Sequence, residues 1–105
     1  MTDVIFHRIR LINDRLVSTF NVQKVILFGS CASGTSDQDS DIDLLVVYST
    51  EQKFHERTAA IKKAVRDLSK GLTISPIGLN PMEFESRCSA GDPFVLSILE
   101  QGIVL

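Results

Sequence analysis

Residues 41–48, Asp-Ile-Asp-Leu-Leu-Val-Val-Tyr, constrain the fold of this chain more than any other segment. Polar and apolar side chains alternate at first, and then every side chain is apolar. A strand places successive side chains on opposite faces, so a wholly apolar run indicates a strand that is buried on both faces. The chain is therefore expected to fold around a sheet with this segment near its centre.

Periodicity and turn residues predict the other elements around this central strand. Apolar residues at helical spacing indicate amphipathic helices, and Pro76 indicates that the strand containing it lies at or near a sheet edge. The order of elements predicts a small α/β (α+β) domain, with a mixed sheet of three to four strands and helices mainly on one face. The predicted helices are 3–20, 51–70, 81–88 and 93–100, and the predicted strands are 23–29, 41–48, 72–79 and, weakly, 103–105.

Length, charge and composition exclude several classes of function. The 105 residues, 44% hydrophobic and 23% charged, are expected to form a single domain over residues 1–105. A net charge of −2 argues against a protein that coats nucleic acid. The chain shows no membrane-spanning run and no signal-peptide core, and Cys31 and Cys88 are too few for a disulfide framework or a zinc site. A cytoplasmic protein is expected.

The strand over 23–29 ends in Gly29-Ser30, and small residues follow. Glycine permits a positive φ and lets a ligand approach the backbone closely. If residues 30–33 begin a short helix, its N–H groups favour an anion, and Ser30 adds a hydroxyl donor. Such a pair taken alone is most often a tight turn, but here it could also be a phosphate-binding turn.

Two aspartates, Asp41 and Asp43, begin the central strand. Their spacing puts both carboxylates on one face, where two like charges are unfavourable without a counter-cation. Magnesium prefers one or two carboxylates together with phosphate oxygens and water. Alone, the pair could be a solvated strand end. Beside a phosphate-binding turn, it predicts a pocket for chemistry on a nucleoside triphosphate.

Two other motifs do not fit this loop. The segment Gly29-x4-Gly34-Thr35-Ser36 approaches the P-loop pattern, but Thr35 takes the place of the lysine. A calcium loop counted from Asp37 needs Gly at its sixth position and Glu at its twelfth, where the chain has Ile42 and Tyr48.

The complete pattern is Gly29-Ser30, ten residues, and then Asp41-Ile42-Asp43. This signature, with Val-Ile-Leu-Phe before it and Leu-Leu-Val after it, resembles the minimal nucleotidyltransferases, small members of the DNA polymerase β-like superfamily. Residues 23–48 carry most of the resemblance, which extends in outline over the whole chain. It implies the polymerase β-like nucleotidyltransferase fold.

The resemblance also implies a reaction and its residues. Gly29, Ser30 and Ser40 would bind the nucleotide. Asp41 and Asp43 would be the catalytic residues and would bind one or two Mg²⁺ ions. An acceptor hydroxyl would attack the α-phosphorus of the nucleoside triphosphate, with ATP as the expected substrate and AMP as the transferred group, and pyrophosphate would leave.

Members of this family are frequently paired with a helical partner of the HEPN family in toxin–antitoxin systems. There the transferase acts as antitoxin, by modifying or masking the partner. The resemblance therefore implies a HEPN-type protein partner in addition to the nucleoside triphosphate. A homo-oligomer is an alternative assembly.

Two positions depart from the family pattern. Ser33 stands where members often have an arginine, so one cation for the nucleotide is absent. The third carboxylate of the family falls near Ser75, and residues 71–81 contain no Asp or Glu. That carboxylate completes a metal site and can take the proton of the acceptor. The candidates to replace it are Asp37, Asp39 and Glu83.

Two functions therefore stay open from sequence. The first is retained nucleotidyl transfer, favoured by the intact Gly-Ser-x10-Asp-x-Asp pattern. The second is a catalytically weakened or inactive module that binds nucleotide, a partner protein, or both, favoured by Ser33 and Ser75.

Two helices also carry surfaces without an assigned role. The helix over 51–70 has a surplus of three positive charges, which fits a solvated face or an acidic or nucleic-acid partner. The helix over 93–100 is too apolar for a lone surface helix, so its side chains belong to the core or to a subunit interface.

Overall fold

The computed structural model describes residues 3–33 and 41–105. Its elements follow the predicted order, with a short helix added after the first strand. In chain order they are α1 (Asp3–Thr19), β1 (Val22–Phe28), α2 (Ser30–Ser33), β2 (Ile42–Tyr48), α3 (Phe54–Ala64), a 3₁₀ helix (Arg66–Leu68), β3 (Ile74–Leu79), α4 (Pro81–Ser89), α5 (Pro93–Gln101) and β4 (Ile103–Val104).

The strands form one mixed sheet in the order β3-β2-β1-β4. Strand β2 is antiparallel to β1 and parallel to β3, and β4 pairs antiparallel with β1. The expected interior position of β2 is confirmed, as is the edge position of β3, which Pro76 predicted. The predicted mixed sheet of three to four strands has four.

The sheet is covered on both faces. On one face Leu44 and Val46 pack in a large cluster with α1 and α3, the two longest helices. On the other face Leu45 and Val47 pack in a smaller cluster with Ile98 of α5 and, at its margin, a ring from α4. The expectation of helices mainly on one face holds for α1 and α3, but α4 and α5 cover the opposite face. Strand β2 requires this second layer because it is apolar on both sides.

The helix predicted over 51–70 is shorter than expected. Helix α3 spans Phe54–Ala64 and gives way to the 3₁₀ helix. Two arginines of α1 donate hydrogen bonds to backbone carbonyls at and after the C-terminal end of α3. Arg15 donates to Ala64 O, and Arg8 donates to the carbonyls of Leu68 and Lys70. These side chains satisfy carbonyls that a longer helix would have bonded internally.

Helix α5 divides its apolar side chains between core and surface. Val95 and Ile98 are buried, whereas Phe94, Leu96 and Leu99 are 48%, 42% and 39% exposed. Both alternatives for this helix therefore retain support. Among the described residues, no helix has the length and hydrophobicity that a membrane span requires.

Candidate active site

The two strand-start aspartates lie where three strands meet. Asp43 is paired in register with Phe28 of β1 and with Ser75 of β3. Asp41, just before β2, accepts a hydrogen bond from Ser75 Oγ to its Oδ2 at 3.2 Å. The strand that follows the acidic pair in the sequence therefore places a hydroxyl, and not a carboxylate, beside it.

Gly29 lies directly against the Asp43 carboxylate. Its φ is +73°, a conformation that side chains with a Cβ rarely adopt. A Cβ at this position would collide with Asp43 Oδ2. Both the positive φ and the lack of space for a Cβ require glycine at position 29. The predicted proximity of the turn and the acidic pair is observed.

Helix α2 follows the turn, so the condition set for an anion-binding turn, a short helix over residues 30–33, is met. Its first residue, Ser30, is half-buried, and Cys31 is buried in the core with its Sγ 3.5 Å from the Asp41 carbonyl oxygen. Cys31 therefore packs the turn against the strand that carries the aspartates.

Burial raises the pKa of the Asp43 carboxyl, and the negative charge of Asp41 raises it further. Both causes disfavour two ionised carboxylates in this place. A divalent cation would remove the disadvantage, because it replaces lost hydration and neutralises the pair.

Asp43 and Ser75 line a cavity of about 380 Å³, a size suited to a small-molecule ligand. Asp43 and Ser75 form its polar side together with Thr58 and Lys62 of α3. Phe28 and Phe94 form an apolar side, with their rings edge to face and their centroids 5.9 Å apart. We call this cavity the active-site pocket.

Sequence reasoning missed Lys62 as a residue of this pocket. Thr58 lies within the helix predicted over 51–70, and Lys62 is one turn further along the same side. The i, i+4 spacing could have suggested that the two side chains act together. The packing of α3 beside the edge strand β3, which brings them to Ser75, could not be predicted from spacing.

Glu83 is not available as a third carboxylate. It accepts hydrogen bonds from the backbone N–H of Asn80 and from the Arg57 guanidinium. Burial alone raises the pKa of Glu83, but the bond from Asn80, the bond and charge of Arg57 and the charge of Arg87 together lower it. The expectation that Glu83 could complete the site is wrong, because this carboxylate caps α4 and pairs with α3.

Three other candidates, Asp37, Asp39 and Ser40, lie outside the described residues. Within the described residues no group of three acidic, histidine or cysteine side chains could hold a metal ion. The donors present are the Asp41 and Asp43 carboxylates and the Ser75 hydroxyl. Two carboxylates fit magnesium that is also held by substrate phosphates, so the residues present fit such an ion.

The chain is similar in sequence to known proteins. Over 57 residues the chain is 40% identical to "Putative protein adenylyltransferase MJ0141" of Methanocaldococcus jannaschii. That match covers 53% of this chain and 58% of the relative. Residues 8–105 match the sequence model of the nucleotidyltransferase domain, which spans both the Gly-Ser turn and the aspartate pair. The fold, the arrangement of the strand ends and this match over nearly the whole chain agree, and the chain belongs to the nucleotidyltransferase domain family.

Proposed function

We propose that the chain transfers a nucleotidyl group, AMP from magnesium-bound ATP, to a hydroxyl group of an acceptor. The observation that carries the proposal is the contact of Gly29 with the Asp43 carboxylate. It joins a turn suited to phosphate with a carboxylate pair suited to a divalent cation, and these are the two requirements of phosphoryl chemistry.

Each residue of the site has a role in this proposal. Gly29 lets the triphosphate approach the backbone, and Ser30 donates a hydroxyl hydrogen bond to it. The resemblance adds Ser40 as a nucleotide-binding residue. Asp41 and Asp43 would hold Mg²⁺, which would stabilise the negative charge that develops during the transfer. Ser75 keeps the Asp41 carboxylate in place through its hydrogen bond.

In the reaction the acceptor oxygen forms a bond to the α-phosphorus, and the bond from that phosphorus to the bridging oxygen of the β-phosphate breaks. Pyrophosphate leaves, and the hydroxyl proton passes to solvent. Among the described residues of the pocket no further carboxylate is placed to accept that proton, so we expect slow turnover.

For the acceptor we propose a protein hydroxyl, on a HEPN-type partner for which this chain is the antitoxin. The name of the archaeal relative supports a protein acceptor. The HEPN partner rests on the resemblance of the Gly-Ser-x10-Asp-x-Asp pattern to minimal nucleotidyltransferases.

Ser75 supports a second candidate function. A hydroxyl in place of the third carboxylate weakens both metal binding and proton removal. On this alternative the chain binds nucleotide, a partner protein, or both, with little or no transfer.

Calorimetric titration with ATP and Mg²⁺ tests the nucleotide site without knowledge of the acceptor. The wild-type protein is compared with Asp41→Asn/Asp43→Asn and with Asp14→Asn, a control at an exposed aspartate on α1. We expect metal-dependent binding in the wild type and in the control, and none in the double variant. Absence of binding at millimolar ATP in the wild type would overturn both nucleotide-dependent functions.

A second measurement separates the two candidates. The protein is incubated with ATP labelled at the α-phosphate and with a HEPN-type protein, and label on the partner is counted. Transfer that the double variant lacks supports the enzyme. Nucleotide binding without transfer supports the binding module.

A further inference from the structure

A second cavity of about 490 Å³ adjoins the active-site pocket, and the two share Lys62. Its charged lining residues are Lys62, Arg66 and Lys70, contributed by α3 and the turn that follows it. Thr73, just before β3, and Ile74, the first residue of β3, also line it. We call this cavity the basic groove.

The fold keeps the lining of the basic groove positive. Asp67 is next to Arg66 in the sequence, but its carboxylate pairs with both terminal nitrogens of Arg15 on α1, at 2.8 and 3.1 Å. Arg8 fixes the same turn by bonding the carbonyls of Leu68 and Lys70. Across residues 3–33 and 41–105, no carboxylate lines the groove or pairs with its three cations.

The groove and the Gly-Ser turn lie on opposite sides of the aspartate pair. Gly29 follows β1, on one side of β2, whereas the groove lies at β3, on the other side. Ile74, which lines the groove, pairs in register with Ile42, between the two aspartates. If the triphosphate occupies the turn, a group that attacks the α-phosphorus comes from the β3 side, where the groove is.

We propose that the basic groove binds acidic residues of the acceptor protein, a polypeptide segment with at least two carboxylates close to the hydroxyl that receives the nucleotide. This inference rests on the proposed function, because that function makes the β3 side the side of the acceptor. Lys62, which lies in both cavities, is the cation nearest to the hydroxyl that reacts.

The lining favours a polypeptide over a nucleic acid. Single-stranded nucleic acids bind to grooves where aromatic side chains stack on successive bases, and none of the described residues that line the basic groove is aromatic. Duplex binding requires many phosphate contacts, whereas this groove offers three cations in a chain of net charge −2. Three cations suit a short segment with a few carboxylates.

The test uses a fluorescein-labelled peptide with a central tyrosine flanked by glutamates, and the same peptide with glutamines. Binding is measured by fluorescence anisotropy without ATP, at two salt concentrations. The full-length chain is compared with Lys62→Glu/Lys70→Glu, with the milder Lys62→Gln/Lys70→Gln, and with Lys53→Glu/Lys63→Glu. The last variant makes the same charge change at exposed lysines that do not line the groove.

We expect the glutamate peptide to bind at least tenfold more tightly than the glutamine peptide, and less tightly as salt rises. The Lys62→Glu/Lys70→Glu variant should lose at least tenfold in affinity, the glutamine variant less, and the control variant under twofold. Equal binding of the two peptides, or equal losses in the groove and control variants, would overturn the proposal.

Two further arms separate this inference from others. A single-stranded RNA of the same charge that binds tenfold more tightly than the peptide would overturn the polypeptide assignment. The Asp41→Asn/Asp43→Asn variant should bind the peptide at least as tightly as wild type, because it keeps the three cations of the groove and removes two negative charges near Lys62. If the wild-type protein binds the peptide but does not bind ATP, the proposed reaction is overturned, and the binding of acidic segments by the groove is not.

Discussion

At the scale of single residues, Ser75 lies where the family pattern has a third carboxylate. It lies in register with Asp43 and bonds Asp41, so an aspartate in its place would complete a three-carboxylate site. We predict that Ser75→Asp lowers the melting temperature in EDTA, because a third negative charge joins the pair. Mg²⁺ should more than restore that temperature, and transfer should rise about tenfold or more.

The neutral variant Ser75→Asn is the control, because it has the size of aspartate without the charge. Differential scanning fluorimetry with and without Mg²⁺ measures the effect independently of activity. If Mg²⁺ stabilised both variants equally, residue 75 would not lie in the metal site.

Gly29 allows a second prediction, since another glycine shares its backbone conformation. Gly29 and Gly91 both have φ +73°, but a Cβ at Gly91 meets nothing within 4 Å. Gly91→Ala should lower the free energy of unfolding by about 1–2 kcal/mol, because alanine at this position must adopt the left-handed conformation. Gly29→Ala should cost more, because its methyl group also displaces the Asp43 carboxylate. Urea unfolding measures both, and equal losses would mean that the carboxylate moves aside freely.

Much of the candidate site could be predicted at this scale. The Gly-Ser-x10-Asp-x-Asp spacing located Gly29 and Asp43, because strand ends that are neighbours in a hairpin-like pair meet in space. The position of Lys62 in the pocket and the hydrogen bonds of Glu83 to Arg57 and Asn80 could not be predicted. Both depend on how α3 packs beside β3 and α4, which spacing within one helix does not specify.

At the scale of elements, one ion pair joins α3 to α4. The Arg57 side chain is 7% exposed and bonds the carbonyls of Gln52 and Gly78 besides Glu83, whose side chain is 41% exposed. The pKa of Glu83 is lowered in the folded protein. Its ionised form therefore contributes stability above the ordinary pKa, and this is lost as pH falls through the lowered value.

We predict that Glu83→Gln lowers the free energy of unfolding at pH 7 by about 1–2 kcal/mol, a small value for an ion pair because Glu83 is partly exposed. The difference in the free energy of unfolding between Glu83→Gln and wild type should become smaller below pH 4.5, the ordinary pKa of the glutamate carboxyl group. Chemical unfolding from pH 7 to 3 measures it, with the exposed Glu85→Gln as control. A difference that stays constant with pH would indicate lost packing in place of lost charge.

The elements themselves show where periodicity succeeds. Strand and helix boundaries agree with prediction to within a residue or two, except in residues 51–70. There the apolar stripe continues to Leu68, so the pattern predicts one helix. The bonds from Arg8 and Arg15 to carbonyls at and beyond the end of α3 come from residues about 50 to 60 positions away, beyond the range of any local pattern.

At the scale of the whole molecule, the two faces of the sheet both contribute to stability. Leu44 and Leu45 are neighbours, are 0% exposed, and belong to the two opposite clusters. We predict that Leu44→Ala and Leu45→Ala each cost about 2–5 kcal/mol in the free energy of unfolding. Guanidinium unfolding measures both. A loss below about 1 kcal/mol for Leu45→Ala would mean that α4 and α5 do not cover their face of the sheet.

The contact between Gly29 and Asp43 has a thermodynamic consequence for the molecule. Under the proposed function the turn binds the triphosphate and the carboxylate binds the cation. The two binding sites are in direct contact at Gly29 and Asp43. Occupancy of either one then changes the affinity of the other, and linkage requires the two factors to be equal. Magnesium should tighten nucleotide binding by the same ratio by which nucleotide tightens magnesium binding, and an inserted methyl group at position 29 should reduce that shared ratio.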